Sequence, residues 1–170
     1  MTVQINYKNS AFKKTPKNLV LFVDEKFNAS PLKKLISSSE FNYISDLLKT
    51  SDLKKNLFVF EVSSKKKIVL ISIKSKLKTS DIENLGAEFY GRVNYGKNSE
   101  YFINSDSIVN KHENFIGHFL HGLKLKSYEF NKYKSKKEKR IISLNVLGNK
   151  NKLSVQNQLK FKALEEGIFY

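Results

Sequence analysis

Two apolar segments, Leu57-Phe58-Val59-Phe60-Glu61-Val62 and Ile68-Val69-Leu70-Ile71-Ser72-Ile73, decide the fold class of this 170-residue chain. Their length and their content of β-branched and aromatic residues predict two strands. The five polar residues that separate them, Ser63 to Lys67, suit the connection of an antiparallel hairpin. Both strands are more apolar than those of a half-exposed hairpin, so we expect helices on both faces of the sheet.

Two further strands and a helix are predicted upstream of this hairpin. Val3 and Ile5 alternate with polar neighbours, which indicates a short first strand, and the run from Leu19 to Val23 predicts a buried one. Apolar residues then recur at helical spacing from Leu35 to Leu48. The run Ser37-Ser38-Ser39 lies within that pattern and could interrupt the helix.

Helix-start signals and short strands alternate downstream of the hairpin. Ser80 and Glu83 have the spacing of a capping box, and Asn110 with Glu113 marks a further helix start. Gly117 lies in the second of these helices, where a glycine indicates close approach to a neighbouring element. The other predicted elements are strands over residues 101–103 and 141–147 and a helix from about residue 153 to residue 170.

The order of elements predicts an α/β fold, a three-layer sandwich with a mixed sheet. The hairpin supplies an antiparallel pair, and the strand–helix–strand connections can supply parallel pairs. We divide the chain into an α/β domain at residues 1–150 and a connecting helix at residues 151–170. That helix has no stop signal and ends in Gly167-Ile168-Phe169-Tyr170, so we expect more protein to follow.

The charge of the chain is strongly positive, with 31 basic and 16 acidic residues and a net charge of +15. Such a balance suggests a polyanionic partner. However, all the basic residues except Arg92 and Arg140 are lysines, whereas readers of bases favour the arginine fork. We therefore interpret most of the charge as a general amino-acid bias.

Several classes of protein are excluded by composition. Cysteine is absent, which excludes disulfides and thiolate chemistry. No apolar stretch approaches the ~20 residues that cross a bilayer, and the N-terminus lacks the apolar core of a signal peptide. We expect a cytoplasmic protein with no membrane contact.

The sequence offers no convincing catalytic or metal-binding constellation. His118 and His121 are three residues apart on one predicted helix, but no HExxH motif or carboxylate cluster accompanies them or His112. We expect one of the pair to pack at a helix interface and the other to lie at the surface. The carboxylates are dispersed, and no phosphate-binding glycine loop is present. We therefore assign no catalytic residue, metal ligand or cofactor to residues 1–170.

Two basic clusters remain as candidate binding sites. One comprises residues 65–67 with Lys74, Lys76 and Lys78. The other lies between residues 128 and 140, where aromatic side chains (Tyr128, Phe130 and Tyr133) alternate with lysines. Such a loop can hold a phosphate backbone and stack bases, although we favour a solvated loop whose aromatic residues fold back onto the core. Its candidate nucleic-acid contacts are Lys132, Lys134, Lys136, Lys137, Lys139 and Arg140.

The segment GHFLHGLKLKSYEFNKYKSKK at residues 117–137 resembles the end of the N-terminal domain in the leucyl aminopeptidase (cytosol aminopeptidase) family. In that family a helix with small residues leads into an aromatic and basic segment, Y-x-F-x-x-Y-K-x-K-K. A strand and a linking helix with an E-G pair follow, here Glu166-Gly167. The order of the upstream elements also agrees, so the resemblance covers nearly the whole chain.

The resemblance implies an α/β fold similar to the macro domain, in a non-catalytic N-terminal domain that serves oligomer assembly and access to the catalytic domain. The catalytic domain would follow residue 170 and bind two divalent metals of the Zn or Mn type; its motifs have no match here. The family usually forms hexamers, and some bacterial members bind DNA, so a DNA-binding regulatory module is the alternative. Fold analogy also suggests an ADP-ribose-type ligand, although the lack of glycine-rich loops counts against it.

Overall fold

One six-stranded mixed sheet forms the centre of the molecule in a computed structural model, which describes residues 2–8, 17–93, 99–108, 112, 114–132, 141–148 and 155–169. The strands are β1 (Thr2–Lys8), β2 (Asn18–Asp24), β3 (Leu57–Ser63), β4 (Lys66–Ile73), β5 (Ser99–Asn104) and β6 (Ile141–Leu147). The helices are α1 (Ser38–Thr50), α2 (Thr79–Val93), α3 (Phe115–Lys132) and α4 (Val155–Phe169). Short 3₁₀ helices cover Ser30–Lys34 and Ser105–Ser107.

The strands lie in the order β1-β6-β5-β2-β4-β3. Among the strands of the described residues, the β3–β4 pair alone is antiparallel, which confirms the predicted hairpin. The prediction of a five-residue connection is wrong, because β3 continues through Ser63 and β4 begins at Lys66. The pairing register shifts between Glu61 and Ser63, so a bulge lengthens the hairpin and leaves a two-residue turn.

Both faces of the sheet carry a hydrophobic core, as the apolar strands predict. On β2, Val20 and Phe22 belong to the core beneath α2 and α3. Leu19, Leu21 and Val23 belong to the core beneath α1 and the first 3₁₀ helix. This alternation follows from the two-residue period of a strand and explains why β2 is apolar throughout. The fold is therefore the three-layer α/β sandwich that the sequence predicts.

The helix starts differ in part from the prediction. The serine run does interrupt the first helical pattern, since α1 begins at Ser38 after a capping box. In this box the Ser37 hydroxyl accepts the backbone N–H of Glu40, and the Glu40 carboxylate accepts the backbone N–H of Ser37, both at 3.2 Å. The capping box predicted at Ser80 is wrong, because α2 begins one residue earlier. The carboxylate of Asp81 instead accepts the backbone N–H of Lys78 at 2.9 Å, and so satisfies a donor at the helix start.

The third helix runs further than predicted. α3 continues to Lys132, so the backbone of residues 128–132 is helical and the expected loop there is wrong. Residues 133–140, and the predicted cap residues Asn110 and Glu113, lie outside the described residues. Across the part of the chain that the structure describes, no helix combines the length and the apolarity needed to cross a bilayer.

Candidate functional site

A crevice opens where the chain leaves the sheet in opposite directions. β2 lies between β4 and β5. The segment after β2 leads through α1 to the β3–β4 side, whereas the segment after β5 leads through α3 to β6 on the other side. Such a change of direction in a doubly wound sheet leaves a gap at the carboxyl ends of the strands, where ligands of these folds generally bind.

A cavity of about 330 Å³ occupies this crevice, a size at the lower end of small-molecule sites. Its apolar surface comes from buried Phe22 and Leu32 together with Leu35. The polar lining includes two carboxylates, an amide side chain on each side and one ammonium group: Asp24, Asn28, Lys34, Asn104 and Asp106. We refer to this cavity as the switch-point crevice.

Asp24 organises the first wall of the switch-point crevice. One oxygen, Oδ1, accepts the backbone N–H groups of Lys26 at 3.1 Å and Asn28 at 3.0 Å, which closes a tight loop after β2. Within that loop Phe27 has a φ of 55°. This left-handed conformation is held by burial of the Phe27 ring, which meets Phe58 edge to face at 5.0 Å between centroids.

Asn104 forms the opposite wall, at the end of β5. Its Oδ1 accepts the backbone N–H of Asp106 at 3.0 Å. Its carbonyl accepts the hydroxyl of Ser107 at 2.6 Å, and that hydroxyl in turn accepts the backbone N–H of Phe22 at 2.9 Å. These bonds fix the carboxamide of Asn104 in one orientation and tie the end of β5 to β2.

The amide nitrogen of Asn104 is the unusual group of the site. The residue is only 1% exposed. Within the part of the chain that the structure describes, Nδ2 makes no hydrogen bond, although the side chain lines the cavity. An unsatisfied buried donor costs roughly 1–3 kcal/mol, and most buried polar groups are paired. An acceptor atom on a bound molecule would satisfy this donor.

The crevice can therefore recognise a small molecule that carries both a hydrogen-bond acceptor and a hydrogen-bond donor. Asn104 brings the nearly inaccessible donor Nδ2 to the lining of the cavity, Asp24 brings a carboxylate, and Phe22 and Leu32 bring apolar surface. The ammonium group of Lys34 lies at the same cavity and suits an anionic substituent.

The candidate binding residues predicted from the sequence lie elsewhere. Of the nucleic-acid candidates, Lys132 is the last residue of α3, and Lys134, Lys136, Lys137, Lys139 and Arg140 lie outside the described residues. In the first basic cluster, Lys66 forms a 2.7 Å ion pair with Glu40. Lys74 and Lys76 line a separate cavity of about 340 Å³, together with the acidic Asp81 and Glu88.

The histidines do not divide as expected. His121 is buried, as predicted for one of the pair, but His118 is half-buried and not at the surface. Both rings contact Phe161 of α4, with centroid distances of 5.1 Å for His118 and 6.0 Å for His121. The prediction missed this because it assigned no partner helix to α3 on that side.

Asp24 and Asn104 were missed as site residues. Each is a polar residue directly after an apolar strand, and this was the signal available in the sequence. The positions become a site only because β2 and β5 are neighbours, which strand periodicity does not reveal.

The mixed sheet with helices on both faces is an α/β fold of the macrodomain type. The macrodomain of Thermus aquaticus DarG superposes with a TM-score of 0.50 over 86% of this chain and 99% of that chain, at 10% sequence identity. At this identity the likeness concerns the fold alone.

A more extensive likeness is to leucine aminopeptidases. The structure of a tomato leucine aminopeptidase variant matches 98% of this chain with a TM-score of 0.69 at 16% identity. The Coxiella burnetii cytosol aminopeptidase matches 96% with a TM-score of 0.54 at 14% identity. The chain spans 37% and 31% of those two proteins. No family model and no curated protein sequence matches it significantly.

Proposed function

We propose that the chain is the non-catalytic N-terminal accessory domain of a leucyl aminopeptidase-type protein. The observation that carries the proposal is the match of 98% of this chain to about a third of the tomato enzyme structure. The aromatic and basic segment at residues 128–137 supports it independently from sequence. A catalytic domain that follows residue 170 would hold the two divalent metals of the Zn or Mn type.

In this proposal the domain serves assembly and access to the catalytic domain, in a homo-oligomer that we expect to be a hexamer. The helix α4 would form part of the connection between the two domains. α4 suits that part because Leu159 is 62% exposed, which leaves apolar surface for a neighbouring domain.

The reading frame downstream of codon 170 tests the proposal directly. We expect the frame to continue and to encode two metal-binding motifs rich in Asp and Glu. A stop codon at that position would remove the link to a catalytic domain. Sedimentation of the longer protein, with and without residues 1–170, then tests assembly: a domain that serves assembly leaves smaller particles when it is removed.

The unpaired amide of Asn104 supports a second candidate function, which is the binding of an ADP-ribose-type ligand in the switch-point crevice. An adenine-like ring presents donor and acceptor atoms on one edge, as the Asp24 and Asn104 side chains require. Phe22 and Leu32 would contact its apolar face. The missing glycine-rich loop means that the phosphates would depend on side chains such as Lys34.

Calorimetry with ADP-ribose and adenosine tests this second candidate. Asn104→Asp keeps the acceptor for Asp106 but removes the donor, so we expect affinity to fall about tenfold or more. Asn84→Asp, the same chemical change on the exposed side of α2, is the matched control and should bind normally. No heat of binding with the unaltered chain would exclude the site for these ligands.

DNA binding through the lysine-rich loop remains the alternative, supported by the net charge of +15. Affinity for duplex DNA should then fall steeply with salt, by roughly one log–log slope unit for each phosphate contact. Replacing Lys136 and Lys137 by Gln should lower that slope, whereas the same change at Lys54 and Lys55 should not. No binding at low salt would exclude this function.

A further inference from the structure

In the contact between α3 and α4, the ring of Phe161 packs against two histidines of α3. Phe161 of α4 is 8% exposed. The His118 ring meets it edge to face, 5.1 Å away between centroids and at 88°, and the His121 ring lies 6.0 Å away. Gly117 provides the space, because a Cβ atom there would overlap the Phe161 ring.

The groups around this ring carry an excess of positive charge when the histidines are protonated. His112 lies 5.7 Å from His118 between ring centroids, and Lys160 of α4 acts on His118 electrostatically. The acidic group facing His118 is Glu83 of α2. Protonation of His118 would therefore add a cation beside Lys160, with Glu83 as the acidic group that opposes it.

The environment of His118 favours its neutral form. Burial lowers the pKa of His118 below its ordinary value, and the positive charges of His112, His121 and Lys160 lower this pKa further, against the opposing effect of Glu83. A histidine with a depressed pKa in the docked state binds its proton more readily when the contact opens. The docked state is therefore at full strength above about pH 6.5 and weakens as the pH falls below that value.

We propose that the α3–α4 contact is an acid-sensitive latch, in which protonation of His118 beside the Phe161 ring releases α4 from the domain. One further attachment among the described residues does not titrate. Asn157 of α4 donates to Oδ1 of Asn114 at 2.8 Å, and neither amide titrates. Leu159 is mostly exposed and gives α4 little additional anchorage. The latch rests on this geometry and does not depend on the proposed aminopeptidase role.

Amide hydrogen exchange measured by NMR on the 170-residue chain tests the latch. Protection of α4 amides is compared at pH 7.5 and pH 5.0 with that of β4 amides, after correction for intrinsic exchange rates. We expect the protection of α4 amides to fall relative to that of β4 amides. The fall should be about tenfold for every pH unit between the pKa of His118 when α4 is docked and its pKa when α4 is released.

His118→Gln supplies the decisive variant, because it keeps a polar side chain of similar size and removes the titration. The variant should lose most of the fall in α4 protection at pH 5.0. Glu25→Gln, in the exposed turn after β2, is the control that should keep the fall.

Three results would overturn the latch. The first is equal α4 protection at both pH values, and the second is an undiminished fall in His118→Gln. The third result needs no variant and comes from an NMR titration of the His118 ring protons. The latch requires this titration to give a pKa below 6.5. A value at or above 6.5 would mean that an imidazolium–ring attraction to Phe161 strengthens the contact on protonation.

Discussion

At the scale of single residues, glycines determine how closely α2 and α3 approach each other. A Cβ atom at Gly86 of α2 would overlap the carbonyl of Phe119 in α3, and one at Gly122 of α3 would overlap the backbone of Glu83 in α2. Backbone atoms cannot rotate away as a flexible side chain can. The two helices therefore pack backbone to backbone, and this contact closes the core around Phe89 and Phe119.

Gly86→Ala should consequently destabilise the domain by about 1–3 kcal/mol, the usual range for overpacking. Gly91→Ala is the matched control in the same helix, because a Cβ there meets nothing within 4 Å. It should stabilise the protein by up to about 1 kcal/mol through helix propensity. Urea unfolding followed by circular dichroism measures both values, and equal effects at the two positions would contradict the close packing.

The sequence indicated close packing only in part at this scale. Gly117 was recognisable because a glycine inside a helix has an energetic cost that packing can offset. The unpaired amide of Asn104 was not recognisable, because its state depends on Ser107, Asp106 and Phe22, which surround it only after the sheet forms.

At the scale of elements, a partly buried ion pair joins α1 to β4. Glu40 and Lys66 lie 2.7 Å apart, and their side chains are 17% and 12% exposed. Burial alone would raise the pKa of Glu40, but hydrogen bonds from Lys66 and Ser37 and the charge of Lys66 together lower it below its ordinary value. A single side chain thus caps its own helix and ties that helix to the sheet.

The domain should therefore lose stability in acid partly through Glu40. Because this pKa is lower in the folded state, the contribution is complete above about pH 4.5 and disappears as the pH falls through the folded value. Glu40→Gln should show a smaller loss of unfolding free energy between pH 5.5 and pH 3.5, measured with urea. Glu25→Gln should behave like the unaltered chain; the same slope in both variants would contradict the role of the pair.

Element types were predictable because hydrophobic periodicity is a local property, as in β2, β3 and β4. The residues at which the helices begin were less predictable. Ser37 and Ser80 both precede a glutamate by three residues, yet only Ser37 forms the capping box, since α2 starts with Asp81 bonded to Lys78. Several polar residues compete for each helix start, and their geometry decides among them.

At the scale of the whole molecule, strand order determines where a ligand can bind. β1 pairs with β6, although the two are far apart in the sequence, and β5 pairs with β2 across the hairpin. Local patterns contain no information about such pairs, so the α/β class was predictable whereas the switch-point crevice was not. The family resemblance did predict the overall fold, as the similarity to the aminopeptidase structures shows.

The central claim is that residues 1–170 form a non-catalytic accessory domain and that a separate domain carries the peptidase activity. A peptidase assay tests this claim most directly. Hydrolysis of a leucine anilide is compared, with added Mn²⁺ or Zn²⁺, between residues 1–170 and the protein translated to its next stop codon. We predict no turnover by residues 1–170 and metal-dependent turnover by the longer protein. Turnover by residues 1–170 alone, or none by a longer folded protein loaded with metal, would contradict the claim.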